Sequence, residues 1–330
     1  MAYSTITKPG LYFNTITYTG DGTSPKARTG VGFQPDWVWS KARDVVRSHQ
    51  LIDSQRGVNK TLNSDNANQE GTNFSHGYLQ SFDSDGFTSQ SGSSGSNNWN
   101  QNNAPYVVWN WKANGAGSAN TDGSINSTVS ANTTAGFSIV SYTGTGSNAT
   151  IGHGLSSAPE IIFQKCRSNS STWWHVGSTK ISTGFNNYLH LNETDAVASD
   201  SSVWNNTNPT SSVFSVGSAA GTNGSSRTNI AYCFHSVKGY SKIGSYTGNG
   251  SADGTFVYTG FKPAWVMIKS TSSGSNKSWS IFDTTRQTFN PNVNKTLYAN
   301  RNEPEGRRGS GSTSSTIPAI DMLSNGFKCR

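Results

Sequence analysis

The sequence predicts an all-β chain made of tandem antiparallel β-sandwich or jelly-roll domains. Three observations predict it: the composition, short alternating apolar runs between turns, and a signature that recurs three times. Hydrophobic residues make up 32% of the 330 residues and charged residues 13%, while Gly alone numbers 35. Gly, Ser, Thr and Asn favour turns, and β-branched and aromatic residues favour strands, so this mixture suits many short strands. Ten Trp, twelve Tyr and fifteen Phe supply large rings for small cores.

The recurring signature begins with Tyr-Thr-Gly at Tyr18–Gly20, Tyr142–Gly144 and Tyr246–Gly248. A second Gly follows at Gly22, Gly146 and Gly250, a Pro at Pro35, Pro159 and Pro263, and a Lys at Lys41, Lys165 and Lys269. Fixed spacing in three places marks an internal repeat. Residues before Tyr18 and Tyr142 alternate as in a strand, for example Phe137, Ile139 and Ser141 against Ser138, Val140 and Tyr142. The Gly-x-Gly is a turn that calls for positive φ. The Pro stands at the mouth of a short apolar run, where its missing N–H does least harm. The Lys closes that run and is expected to mark its return to solvent.

Further along, Asp53 to Arg56 precedes Asn59–Leu62, and Asp283 to Arg286 precedes Asn294–Leu297. Each Asp and Arg is expected to form a structural ion pair. Copy one ends in Tyr106–Trp111 and copy two in Ile230–His235, both reading as central strands. The expected organisation is a first repeat over 1–113, a flexible linker rich in Gly, Ser, Asn and Thr over 114–135, a second repeat over 136–238 and a third over 239–330. The third repeat reaches Phe327 with no counterpart of Tyr106–Trp111. That leaves a sheet edge unpaired unless the fold tolerates it, another chain supplies the strand, or the product is longer.

The net charge of +7 is not concentrated. The densest basic run, Arg301 to Arg308, is interrupted by Glu303 and Glu305, so nucleic acid is not the expected partner. The opening residues have no apolar core of signal-peptide length, and no segment reaches the length of a membrane span. Cys166, Cys233 and Cys329 form no CxxC pair; the first two read as small core residues, with a disulfide between them as the alternative. No nucleophile elbow, phosphate loop, dinucleotide fingerprint or zinc-protease helix is present, so neither an enzyme nor a cofactor or metal site is expected. Trp99, Trp173, Trp174 and Trp204 fall in Ser/Asn-rich stretches that read as loops; their rings either plug the ends of a thin core or, if exposed, form a platform for sugars.

The strings Gly239–Gly250 and Gly260–Val266, with Ser118–Asn126 as an accompanying connector, resemble an uncharacterised repeat of marine tailed-phage virion proteins. The resemblance implies concanavalin-like lectin or glucanase sandwiches in a tail fibre, head fibre or capsid decoration protein. Such a protein would be made in the host cytoplasm, reside in the virion, contact other virion proteins and oligomerise, a trimer being the analogy. It would be non-enzymatic. The alternative is a glycan-binding adhesion module for host surface polysaccharide.

Overall fold

A computed structural model describes residues 4–72, 74–94, 97–272, 277–291, 295–306 and 319–330. Asn294, Arg307 and Arg308 lie outside them. The chain is 37% strand and 5% helix, and among the described residues all strand pairs are antiparallel apart from one isolated bridge. The predicted all-β sandwich class is the class observed.

Each repeat builds one main sheet. In copy one the strand Phe13–Thr19 pairs with Pro105–Trp111, which pairs with Trp37–Ala42, which pairs with Gln50–Asp53. In copy two the same order runs Phe137–Thr143, Thr228–Phe234, Ile161–Cys166, Trp174–Ser178. Copy three keeps Trp265–Ile268 beside Ser280–Asp283. Successive side chains of a strand point to opposite faces, so each sheet buries two different sets of residues.

The outer faces are closed locally. Val38, Ile52 and Val108 of copy one pack with Leu79 and Phe87 of the small sheet formed by Lys26–Arg28, Tyr78–Asp83 and Gly86–Gln90. Val140, Ile162 and Cys233 of copy two pack with Phe214, Val216 and the ring of Trp204. Val266 and Phe282 of copy three pack with Ile320, Met322 and Phe327.

The inner faces meet one another. Trp37, Trp39, Trp109 and Trp111 from copy one, Phe137, Phe163, Trp174 and Tyr232 from copy two, and Trp279, Ile281 and Leu297 from copy three form one continuous buried core. Trp37 stacks on Tyr232 with ring centroids 4.2 Å apart, Trp111 meets Trp265 at 5.7 Å, and Phe163 meets Trp279 at 6.2 Å. The three copies are thus one body around a shared core, each touching the other two.

The segment 114–135 is not the flexible linker its composition suggests. Ser118–Asn120 and Ser127–Asn132 extend the main sheet of copy two beside Phe137–Thr143. Copy one holds it from the other side: Asp36 accepts a hydrogen bond from the amide of Gly115, Ser54 donates to the Gly115 carbonyl, and Gln55 donates to the carbonyl of Thr128. Small polar side chains are admissible on an edge strand with one wet face, which composition alone does not separate from a linker.

Candidate functional site: the junctions between copies and an open sheet edge

The same contacts recur at each junction. His49, Trp174 and Trp279 occupy equivalent places, and each points a ring nitrogen at a backbone carbonyl of a neighbouring copy. His49 Nε2 lies 3.0 Å from Tyr298 O, Trp174 Nε1 donates to Asn63 O at 2.8 Å, and Trp279 Nε1 donates to His190 O at 2.9 Å. The direction is cyclic: copy one onto three, two onto one, three onto two. In each copy an Asp or Asn side chain, namely Asp65, Asn192 and Asn300, accepts the amide of that same residue. Backbone bonds join Glu305 N to Arg43 O, Glu70 N to Arg167 O and Val197 N to Thr271 O, again in the same sense.

The repeat lysines do not fully re-emerge into solvent, and two of them, Lys165 and Lys269, take part in these junctions. Lys41 and Lys165 are buried and Lys269 is half-buried. Each ammonium donates to the carbonyl of the next residue, Ala42, Cys166 or Ser270. Lys165 also reaches Ala67 of copy one, and Lys269 reaches Thr194 and Asp195 of copy two. Burial lowers all three to about 8 from the ordinary 10.5. For Lys165 and Lys269 several oxygen partners satisfy the ammonium donors, which is what lets a Lys stand inside a protein.

The Asp–Arg pairs are structural, and larger than the spacing alone suggests. Arg56 Nε donates to Asp53 at 2.5 Å, with both side chains fully buried. Its Nη1 approaches Glu70, which is also paired with Arg167 of copy two at 2.8 Å, and the Tyr232 hydroxyl of copy two donates to Asp53 at 2.7 Å. Copy three repeats this construction. Arg286 bridges Asp283 and Glu305, Arg43 of copy one pairs with Glu305 at 2.8 Å, and Trp109 Nε1 of copy one donates to Asp283 at 3.1 Å. Burial opposes the charge of Arg56, but Asp53, Tyr232 and Glu70 more than offset it and hold it cationic.

Copy two replaces the whole set. Its equivalents of Asp, Arg and Glu are Ser178, Ile181 and Val197, and the Arg from the neighbouring copy becomes Thr271. Four positions change together from charged to uncharged, and Ile181 and Val197 join the shared core. A lone carboxylate or guanidinium left there would be buried without a partner, so the positions exchange as a unit.

His49 makes the junction of copies one and three sensitive to acid. Trp39 Nε1 donates to its Nδ1 at 2.8 Å, so the ring is neutral with its proton on Nε2, facing Tyr298 O. Burial first, then the charge of Lys41, push it from 6.5 down to about 3. The unfolded chain therefore binds the proton first on acidification. Stability from this group is full above pH 6.5 and is lost as pH falls toward 3. Chemical denaturation at stepped pH should show the wild type losing stability across that window, and His49→Gln showing a shallower loss; parallel pH slopes would contradict this role.

Of the two readings of these tryptophans, three rings follow the core-plugging one, and a four-ring platform does not form. Trp99, Trp174 and Trp204 have 0% of their surface exposed. Trp99 packs on Phe87, Trp204 on Phe185, and Trp174 lies in the shared core. Their polar neighbours read as loop, but those neighbours cap turns while the rings plug the sandwiches. Trp173 alone of the four is exposed, at 48%, with its ring 4.8 Å from that of His190.

Copy three differs from the other two at one edge. Trp37–Ala42 and Ile161–Cys166 each pair on both sides, and nearly every residue in them is buried. Among the described residues Trp265–Ile268 pairs only with Ser280–Asp283, and only Val266 in it is fully buried. The residues matching Phe13–Thr19, namely Ser241–Thr247, lie in no strand. The signature glycines report the same difference. A Cβ on Gly20 would lie 2.0 Å from the Gln101 carbonyl oxygen, and one on Gly144 would lie 2.5 Å from that of Gly224, whereas one on Gly248 would meet nothing within 4 Å. Cys166 and Cys233 are buried free thiols.

These features define an all-β protein of three sandwiches closed into one body. The chain belongs to the family described as "Domain of unknown function (DUF7483)", whose model matches residues 8–330. No curated protein and no solved structure matches it.

Proposed function

We propose that the chain is a non-enzymatic structural protein displayed on the surface of a phage particle, as a tail fibre, head fibre or capsid decoration. One observation supports the structural part above the others. Lys165, Lys269 and the paired Asp, Arg and Glu groups, which are the chemistry a catalytic site would draw on, are committed to contacts between copies. The particle assignment rests on the likeness of Gly239–Gly250 and Gly260–Val266 to virion repeats. Its partners would be other virion proteins, with homo-oligomerisation as in other particle appendages. Imaging of particles carrying a label on this chain should place it at fixed positions on the surface. Finding the labelled chain only in the cytosol of uninfected cells would overturn the reading.

The second reading is a glycan-binding module for host surface polysaccharide, favoured by the exposed Trp173 ring beside His190, since aromatic faces pack on sugar rings. It reduces the expected platform of four Trp to one. A glycan array should then show hits that are lost in Trp173→Ala with the fold intact; an array without hits removes this reading.

A further inference from the structure

We infer that a polar cleft beside Gln50, on the outer face of copy one, binds a saccharide unit. The site uses residues other than Trp173, so it stands or falls apart from the glycan reading of that ring.

The fold sets the cleft's place. Leu51 faces the shared core, so Gln50 and Ile52 face outward. Ile52 is covered by the local core with Leu79 and Phe87, while beside Gln50 a cleft of about 360 Å³ opens. Copy two fills the same place with rings. Its pair Val176↔Leu189 matches Leu51↔Leu62, so His175 and His190 stand where Gln50 and Asn63 do, and Trp173 stands where Ser48 does. The two imidazoles lie 5.3 Å apart, and the Trp173 ring lies 4.8 Å from that of His190. In copy one two amides and a hydroxyl replace those three rings, and all three line the cleft.

The lining specifies the chemistry of the ligand. Asn63, Asn66, Asn68 and Asn98 of copy one and Asn302 of copy three border the cleft together with Gln50. Amides present donors and acceptors side by side, as the hydroxyls of a sugar do. Among the described lining residues there is no Asp or Glu, so a divalent cation lacks its oxygen ligands. Arg47 is the one permanent cation among them and already donates through Nη2 to Gln101, which leaves a free anion little charge. Val46 is the one aliphatic side chain among them, so an apolar ligand finds no bed. A hydroxyl-rich ring suits what is left, in a volume at the lower end of small-ligand sites, roughly 300–1,000 Å³.

The lining also lacks partners. Gln50 is 3% exposed and Asn98 9%. Gln50 Nε2 donates to Ser48 O at 3.2 Å, but its Oε1 is buried with no partner among the described residues, and so is Arg47 Nε. The Asn98 amide N–H is held by His76 O at 2.8 Å, yet no hydrogen bond among the described residues engages the side chain of Asn98 or of Asn302. Buried polar groups are ordinarily paired. An unmet acceptor and an unmet donor at one cleft fit a ligand that carries both on adjacent atoms, as vicinal hydroxyls do.

The probes are the neutral disaccharides maltose, cellobiose, lactose and diacetylchitobiose, with inorganic phosphate beside them, titrated into the full chain by calorimetry. At least one disaccharide should bind. Gln50→Leu should weaken it roughly tenfold, the cost of one well-placed hydrogen bond. Asn302→Ala should weaken it several-fold at an unchanged melting temperature, because that exposed side chain supports nothing else. The same titrations on Trp173→Ala separate the two sites: binding that persists there and falls with Gln50→Leu belongs to the cleft. Absence of binding by every disaccharide, equal binding by both cleft variants, or loss in Trp173→Ala alone would overturn the inference. Phosphate binding tighter than every disaccharide would overturn it in favour of an anion site at Arg47.

Discussion

Arg56→Ile alone lowers the stability of the whole chain by about 3–5 kcal/mol, the cost of leaving a buried carboxylate without its cation. Asp53 is fully buried, and what remains to it after the substitution is the Tyr232 hydroxyl and local backbone amides. Glu70 keeps Arg167, so the damage centres on Asp53. The informative comparison is the concerted exchange. Copy two shows which set fills the same place without charge: Ser178, Ile181, Val197 and, from the next copy, Thr271. Installing Asp53→Ser, Arg56→Ile, Glu70→Val and Arg167→Thr together, with Tyr232→Phe to remove the orphaned hydroxyl, should return stability to within about 1.5 kcal/mol of the wild type. Urea titrations of the single and concerted variants measure both values. A concerted variant as unstable as Arg56→Ile would show that the three junctions are not equivalent.

Trp37→Ala is the second large effect. The Trp37 ring stacks on Tyr232 at 4.2 Å, packs on Trp111 at 4.5 Å and faces Phe137 at 5.8 Å, so it joins copy one to copy two at the middle of the shared core. Removing it costs about 3–5 kcal/mol, as expected for a large aromatic in a packed interior. The loss is felt beyond copy one because the cavity is walled by residues of copy two.

Much of this arrangement is legible in the residues themselves. The threefold signature, the alternation around it and the turn-forming composition give the class, and Asp53 with Arg56 reads as a structural pair from spacing alone. The junctions do not read out, for a physical reason. Glu70 and Arg167 come from different copies, and so do Asp53 and Tyr232; nothing local in the chain announces a partner more than ninety residues away. The aligned change from Asp, Arg and Glu to Ser178, Ile181 and Val197 was the available signal, since three linked losses of charge at repeat positions imply a shared environment. The Ser and Asn neighbours of Trp99, Trp174 and Trp204 describe the backbone turn and not where the ring goes, so core plug and exposed platform both stay open. Lys165 misleads because a Lys ending an apolar run is ordinarily solvated, and only the carbonyls of Cys166, Thr172 and Ala67 make its burial affordable. The stretch 114–135 misleads because edge strands tolerate the same small polar residues as linkers.

The central claim is that the three copies share one core and fold as one body. Amide hydrogen exchange of wild type and Trp37→Ala under mildly destabilising conditions tests it most directly. The account predicts that the variant loses protection together in Trp37–Ala42 of copy one, Thr228–Phe234 of copy two and Ser280–Asp283 of copy three. Loss confined to residues 1–113, with the other two copies as protected as in the wild type, would contradict it.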